Sequence, residues 1–181
     1  MKSLKPSLLI AVVLFSLTGC GYTQKSLLPS SIKSVHVPAV KNAIDLTSET
    51  DDVNKFRVYR PGLEVDVRNS IINRFIFDGN LEVVGADKAD AILEVKLADY
   101  IRDPLRYSRG DDVQEYRLSV VLNVSLYESR NHSKVLWSGT VVGDTTFFLS
   151  GSRAISEDEA TAVAVSDAAR RVVERTIEYW D

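Results

Sequence analysis

The chain is expected to fold as one α+β domain, with two helices packed on one face of a mainly antiparallel (mixed) β-sheet. Three observations predict this. Residues 89–149 carry three long stretches of strict apolar–polar alternation, the period of half-buried strands. Two segments, one opening near Pro61 and one opening near Ser156, instead carry apolar residues at helical spacing. The apolar sets of both periods are one-sided, so a single core between helices and sheet satisfies them.

An export segment precedes the domain. Lys2 and Lys5 give a positive start, and Leu8 to Phe15 give an apolar stretch about half the length needed to span a bilayer. Leu17-Thr18-Gly19-Cys20 follows, similar to the bacterial lipobox, in which small residues admit the peptidase and the cysteine thiol takes the lipid. Residues 1–19 are therefore read as a lipoprotein signal peptide, Cys20 as the site of lipid attachment, and 20–31 as a polar tether without periodicity. Gly21, in place of an aspartate, points to the outer membrane by resemblance to the enterobacterial sorting rule. Several acyl chains on Cys20 anchor a protein stably where a single chain does not.

Of the 181 residues, 162 remain after a cut before Cys20, a length that suits one domain, 32–181. Loss of Lys2 and Lys5 leaves 20 basic against 25 acidic residues, a balance that argues against nucleic acid as a partner. Cys20 is the only cysteine, so neither an internal disulfide nor a thiolate metal site is available.

Ile32 to Val37 alternates and stops at Pro38, as a short strand does. Asn42 to Lys55 is polar and long for a loop, and is expected to be disordered. The first helix opens at Pro61, whose fixed φ suits a first turn. It carries Leu63, Val67, Ile71 and Phe75 on its inner stripe, broadened by Ile72 and Ile76, and ends at Asp78-Gly79. Leu81 to Val84 is a short strand. Ala89–Asp103, Glu115–Ser129 and Lys134–Leu149 form an antiparallel meander, with turns at Pro104–Asp112 and Ser129–Ser133. Ser156-Glu157-Asp158-Glu159 is a capping box opening the last helix, with Ala162, Val165, Ala169, Val172 and Thr176 inward and an end near Trp180. Its alanines allow a close approach to the sheet.

The opposite sheet face carries Arg117, Ser119, Asn123, Ser125 and Tyr127 beside Ile92, Glu94 and Lys96. Such a face is either solvated or enclosed by another protein. No nucleophile motif, phosphate loop or metal spacing is present, so the chain is read as no enzyme, with no cofactor and no metal. His36 and His132 read as structural or exposed residues. Asp51-Asp52 and Asp111-Asp112 read as turn residues, and Glu157-Asp158-Glu159 as a helix cap.

An ordered set of short motifs resembles the LptE-type lipopolysaccharide-assembly lipoproteins. It comprises Gly19-Cys20-Gly21-Tyr22, Leu28-Pro29, Ile32 to Pro38 with Asn42 after it, Arg60-Pro61-Gly62-Leu63-Glu64 and Leu81-Glu82-Val83-Val84. Ala89 to Leu93, Glu115-Tyr116-Arg117-Leu118, Val135-Leu136-Trp137 and an alanine-rich last helix complete it. The loop from Asn42 to Lys55 is longer than the family's link. The resemblance implies two helices on a mixed sheet. It also implies a role as plug and assembly factor inside the LptD β-barrel, delivering lipopolysaccharide to the cell surface from the periplasmic face of the outer membrane. Two other readings share the lipobox: an outer-membrane lipoprotein that activates a peptidoglycan synthase, and a lipoprotein enzyme.

Arg102, Arg106 and Arg109, interleaved with Leu105 and Tyr107, are the candidate lipopolysaccharide-binding residues. Lipopolysaccharide presents phosphates beside acyl chains, and arginine's planar fork matches phosphate oxygens. A charged hairpin end whose arginines pair with Asp103, Asp111 and Asp112 is the plainer alternative.

Overall fold

The computed structural model describes Pro29, residues 31–45, Phe56–Arg57 and residues 60–178. Cys20, the signal segment, most of the tether, 46–55 and the end at Trp180 lie outside the described residues.

The expected architecture is present. Strands β1 (Ser34–His36), β2 (Lys41–Asn42) and β3 (Phe56–Arg57) precede helix α1 (Leu63–Asp78). Then come β4 (Glu82–Val83), β5 (Ala91–Tyr107), β6 (Val113–Glu128), β7 (Asn131–Phe148) and helix α2 (Glu157–Glu178). They build one seven-stranded sheet with the order β4-β1-β5-β6-β7, while β2 and β3 add to the remaining length of β5. β5, β6 and β7 are the predicted antiparallel meander. β1 is parallel to both β4 and β5, and β2 is parallel to β5. The sheet is therefore mixed, as a β1–α1–β4 crossover requires.

Alternation is realised residue by residue. Leu93 and Leu97 of β5 and Leu118, Val120, Leu122 and Leu126 of β6 have no exposed surface. They meet Leu63, Ile71 and Phe75 of α1 and Ala160, Ala164, Ala168 and Val172 of α2 in one core. Helix α2 comes very close to the sheet at Gly143 on β7. A Cβ there would lie 2.3 Å from the Ala164 carbonyl oxygen and 2.3 Å from the Ala168 nitrogen. The alanines of α2 and this glycine are two halves of one contact.

Several sequence-based boundaries are corrected. Pro61 precedes α1; the helix begins at Leu63 after Gly62, whose φ of 86° is left-handed. Gly79 ends it as expected, with φ 76° and its N–H donated to the Phe75 carbonyl. Ile76 is 65% exposed, because its position lies away from the 63–67–71–75 stripe. Ala162 is likewise exposed, out of phase with Thr161, Val165, Ala168 and Val172. Asn42 belongs to β2, and the Ala43 N–H donates to the Leu97 carbonyl at 2.9 Å, so the segment read as loop starts as sheet. Pro104 is inside β5 rather than in a turn. It is tolerated beside register shifts and past β3, where β5 has no further partner on that edge among the described residues. The connection to β6 shrinks to 108–112, and β6 reaches β7 through Ser129-Arg130 alone.

Candidate functional site

Beyond β3, the ends of β5, β6 and β7 gather cations and apolar side chains. The hairpin tip is closed by Ser108, whose N–H donates to the Asp112 carbonyl at 2.8 Å. Its hydroxyl oxygen accepts the Gly110 N–H at 3.1 Å and the Asp112 N–H at 3.2 Å. Asp111 takes a positive φ of 61°, which a short polar side chain tolerates. Arg109 is exposed at this tip, and Leu105 and Tyr107 are 42% and 47% exposed on the strand leading to it.

The three predicted arginines do not form one cluster. Arg102 registers with Leu118 and so shares the helix-facing side of the sheet. Its Nη1 donates to Glu157 Oε2 at 2.8 Å, and its guanidinium lies 5.0 Å from the Tyr116 ring centroid. Beside it Tyr100 is fully buried, its hydroxyl 2.9 Å from Thr161 Oγ1 and 3.1 Å from Glu157 Oε1. Burial, reinforced by the Glu157 charge, pushes the phenol pKa up. Arg60 completes the group, its Nη1 donating to Asp158 Oδ1 at 2.7 Å and Thr161 Oγ1 at 3.2 Å. Ser156 caps the same helix, its hydroxyl accepting the Glu159 N–H at 3.1 Å. The first turn of α2, rich in acids as its dipole favours, is thus clasped by three cationic or phenolic side chains from other elements.

Arg106 registers with Glu115, which is paired in turn with Phe148 of β7. Its Nε is 3.4 Å from Glu115 Oε2, and its guanidinium is 5.8 Å from the Phe148 centroid. Arg153 lies 4.7 Å from the same centroid and was not singled out from sequence. It reaches the ring because 149–154 folds back: Gly151 takes φ 90°, the Ala154 N–H donates to the Gly151 carbonyl, and Ala154 bridges Phe148. The only sequence cue was an aromatic strand end followed, past a glycine, by a cation. Arg106 and Arg153 around Phe148, with Arg109, Leu105 and Tyr107 nearby, place cations next to exposed apolar surface.

Elsewhere His36 Nδ1 is 3.0 Å from the Val84 carbonyl and ties β1 to β4, a structural role. His132 is exposed and stacks on Tyr127 at 4.6 Å. An open groove of about 860 Å³ runs between the helices over Ala162, Ser166 and Ala169. Among the described residues no three His, Cys, Asp or Glu side chains converge as a metal site would need.

No curated protein sequence matches the chain. Solved structures share its fold at low identity. A hypothetical protein from Chlamydia trachomatis is 11% identical, with 80% of this chain and 95% of that one covered, at a TM-score of 0.54. A Xanthomonas campestris protein is 15% identical over 84% and 86%, at a TM-score of 0.50. A weaker likeness, at a TM-score of 0.42 and not itself a sign of shared fold, is to rare lipoprotein B from Shewanella oneidensis, 11% identical over 77% of this chain and 89% of that one. The family model described as LptE, lipopolysaccharide-assembly, matches residues 32–178, which take in both helices and every strand. The chain belongs to the LptE lipopolysaccharide-assembly family.

Proposed function

We propose that this protein is held by lipid on Cys20 at the periplasmic face of the outer membrane. There it enters the lumen of an LptD-type β-barrel as plug and assembly factor, and assists delivery of lipopolysaccharide to the cell surface. The observation that carries the reading is the family match over 32–178. Two features of the fold support it. The sheet face opposite the helices, with Arg117, Asn123 and Lys96 exposed, is uncovered along strands of 16 to 18 residues among the described residues. A wide barrel lumen needs such a filling surface. The far end of the meander offers lipopolysaccharide phosphates and acyl chains Arg106 and Arg109 beside Leu105 and Tyr107, with Arg102 behind them. The role is one of binding and assembly rather than catalysis.

Depletion of the protein tests the role: lipopolysaccharide should disappear from the cell surface while its synthesis continues. Normal surface lipopolysaccharide after full depletion would contradict it. The site is tested separately by Arg106→Glu with Arg109→Glu in purified, unlipidated protein. That pair should weaken lipopolysaccharide binding and reduce its dependence on salt, with the melting temperature unchanged. Equal binding would place the ligand elsewhere, and loss of barrel association instead would make this end a protein interface.

A further inference from the structure

Resting on the reading of this end as the lipopolysaccharide-contacting end, we infer that Arg102 and Glu157 are positioning residues: their ion pair holds the 149–156 connection so that Arg153 and Arg106 share the Phe148 ring as a two-arginine cradle for a phosphorylated amphiphile. The cradle arginines come from segments far apart in sequence. Arg106 lies between two register shifts of the β5–β6 ladder but is itself registered with Glu115, so its place is set by the sheet. Arg153 is exposed and sits in a connection carrying a left-handed glycine. That connection is held by the Leu149 N–H, which donates to the Gln114 carbonyl at 3.1 Å, by the Ala154 bridge to Phe148, by Ile155 packed against the core, and by the start of α2 one residue past the Ser156 cap. Glu157 is that first helical residue. Its carboxylate takes Arg102 at 2.8 Å and Tyr100 at 3.1 Å, both from the stretch of β5 that is paired with β6 and flanked by β3. Arg60 anchors the neighbouring Asp158 at 2.7 Å. The clasp lies on the helix side of the sheet, so Arg102 acts on the cradle through Glu157 and the chain between Glu157 and Arg153.

The two outcomes of removing Glu157 differ in sign. Glu157 is an acid near a cationic end, so electrostatics alone predicts that Glu157→Gln tightens anion binding. Positioning predicts the reverse, because an arginine that must be ordered on binding costs roughly two- to tenfold in affinity. Binding of the unlipidated protein to lipid A, with and without its phosphates, is measured for wild type, Glu157→Gln, Arg102→Gln, Arg106→Ala and Arg153→Ala. In parallel, tryptic cleavage at Arg153–Ala154 is timed by mass spectrometry, with Arg109–Gly110 at the hairpin tip as internal reference. The clasp predicts faster cleavage at Arg153 but not at Arg109 in both clasp variants, and weaker binding of phosphorylated lipid A by Glu157→Gln. Unchanged cleavage at Arg153, or tighter binding by Glu157→Gln, overturns the inference while the site reading stands if Arg106→Ala and Arg153→Ala still weaken binding. Unchanged binding by those two variants removes the cradle itself, whatever the cleavage shows.

Discussion

Gly143→Ala is the substitution for which the fold makes the clearest quantitative demand. In an ordinary strand an alanine packs better than a glycine and is easier to order, so the change would stabilise. Here the new Cβ would lie 2.3 Å from a carbonyl oxygen and 2.3 Å from a nitrogen of α2, with the Ala168 Cα at 2.6 Å. Unstrained carbon contacts need about 3.5 Å, so the helix must withdraw by about 1 Å. All the obstructing atoms belong to backbone, which cannot rotate away. Withdrawal would open the packing of Ala160, Ala164, Ala168 and Val172, each with no exposed surface. Overpacking costs about 1–3 kcal/mol where side chains can adjust, so a backbone clash belongs at the upper end, near 3 kcal/mol. At about 2–4 °C per kcal/mol for a chain of this size, the melting temperature should fall by about 6–12 °C. Thermal and urea unfolding followed by circular dichroism measure this, with Gly139→Ala as the control. A Cβ at Gly139 meets only side-chain atoms, at 3.8 and 3.9 Å, and should cost little. If the two variants melt together, within 2 °C of wild type, the close approach of α2 to β7 is refuted.

Three further outcomes are expected. Val172→Asp places a charge at a fully buried position of α2 and should lower stability by about 3 kcal/mol or more; an unchanged melting temperature would contradict the helix face. Asp90 accepts the Lys33 N–H at 3.1 Å and the Ser34 hydroxyl at 2.9 Å, which hold its carboxyl below the ordinary value near 3.9. A carboxyl lowered by folding stabilises fully above its unfolded pKa and loses that contribution as pH falls through the folded value. Asp90→Asn should therefore melt below wild type at neutral pH, with the gap closing under about pH 4; a gap that does not change with pH would exclude this linkage. Cys20→Ser should leave uncut precursor in the inner membrane, since there is no thiol to lipidate; mature protein in the outer membrane would disprove the anchor.

Much of the fold was legible because its signals are local. The 63–67–71–75 stripe, the Gly79 stop, the Ser156 cap and the alternation of β5 and β6 each follow from the periods of helix and strand. What escaped was set by distant partners. Lys41–Asn42 and Phe56–Arg57 are strands only because β5 offers its free edge, and two residues carry no period. Arg102 and Arg106 looked like neighbours at one hairpin end, yet strand pairing and bulges send one toward α2 and the other toward Phe148. Arg153 joins Arg106 only through a reversal of the chain at Gly151. The fit of Gly143 to Ala164 and Ala168 was half visible, in the alanines of the helix and not in the glycine they require.

Whether this lipoprotein works inside an LptD-type barrel is decided by purifying the native, lipidated protein from its own outer membrane and identifying what comes with it. A single large β-barrel should come with it in constant ratio, retained in detergent and high salt as an enclosed plug would be. Recovery of a peptidoglycan synthase with no barrel would contradict it and favour the synthase-activator reading.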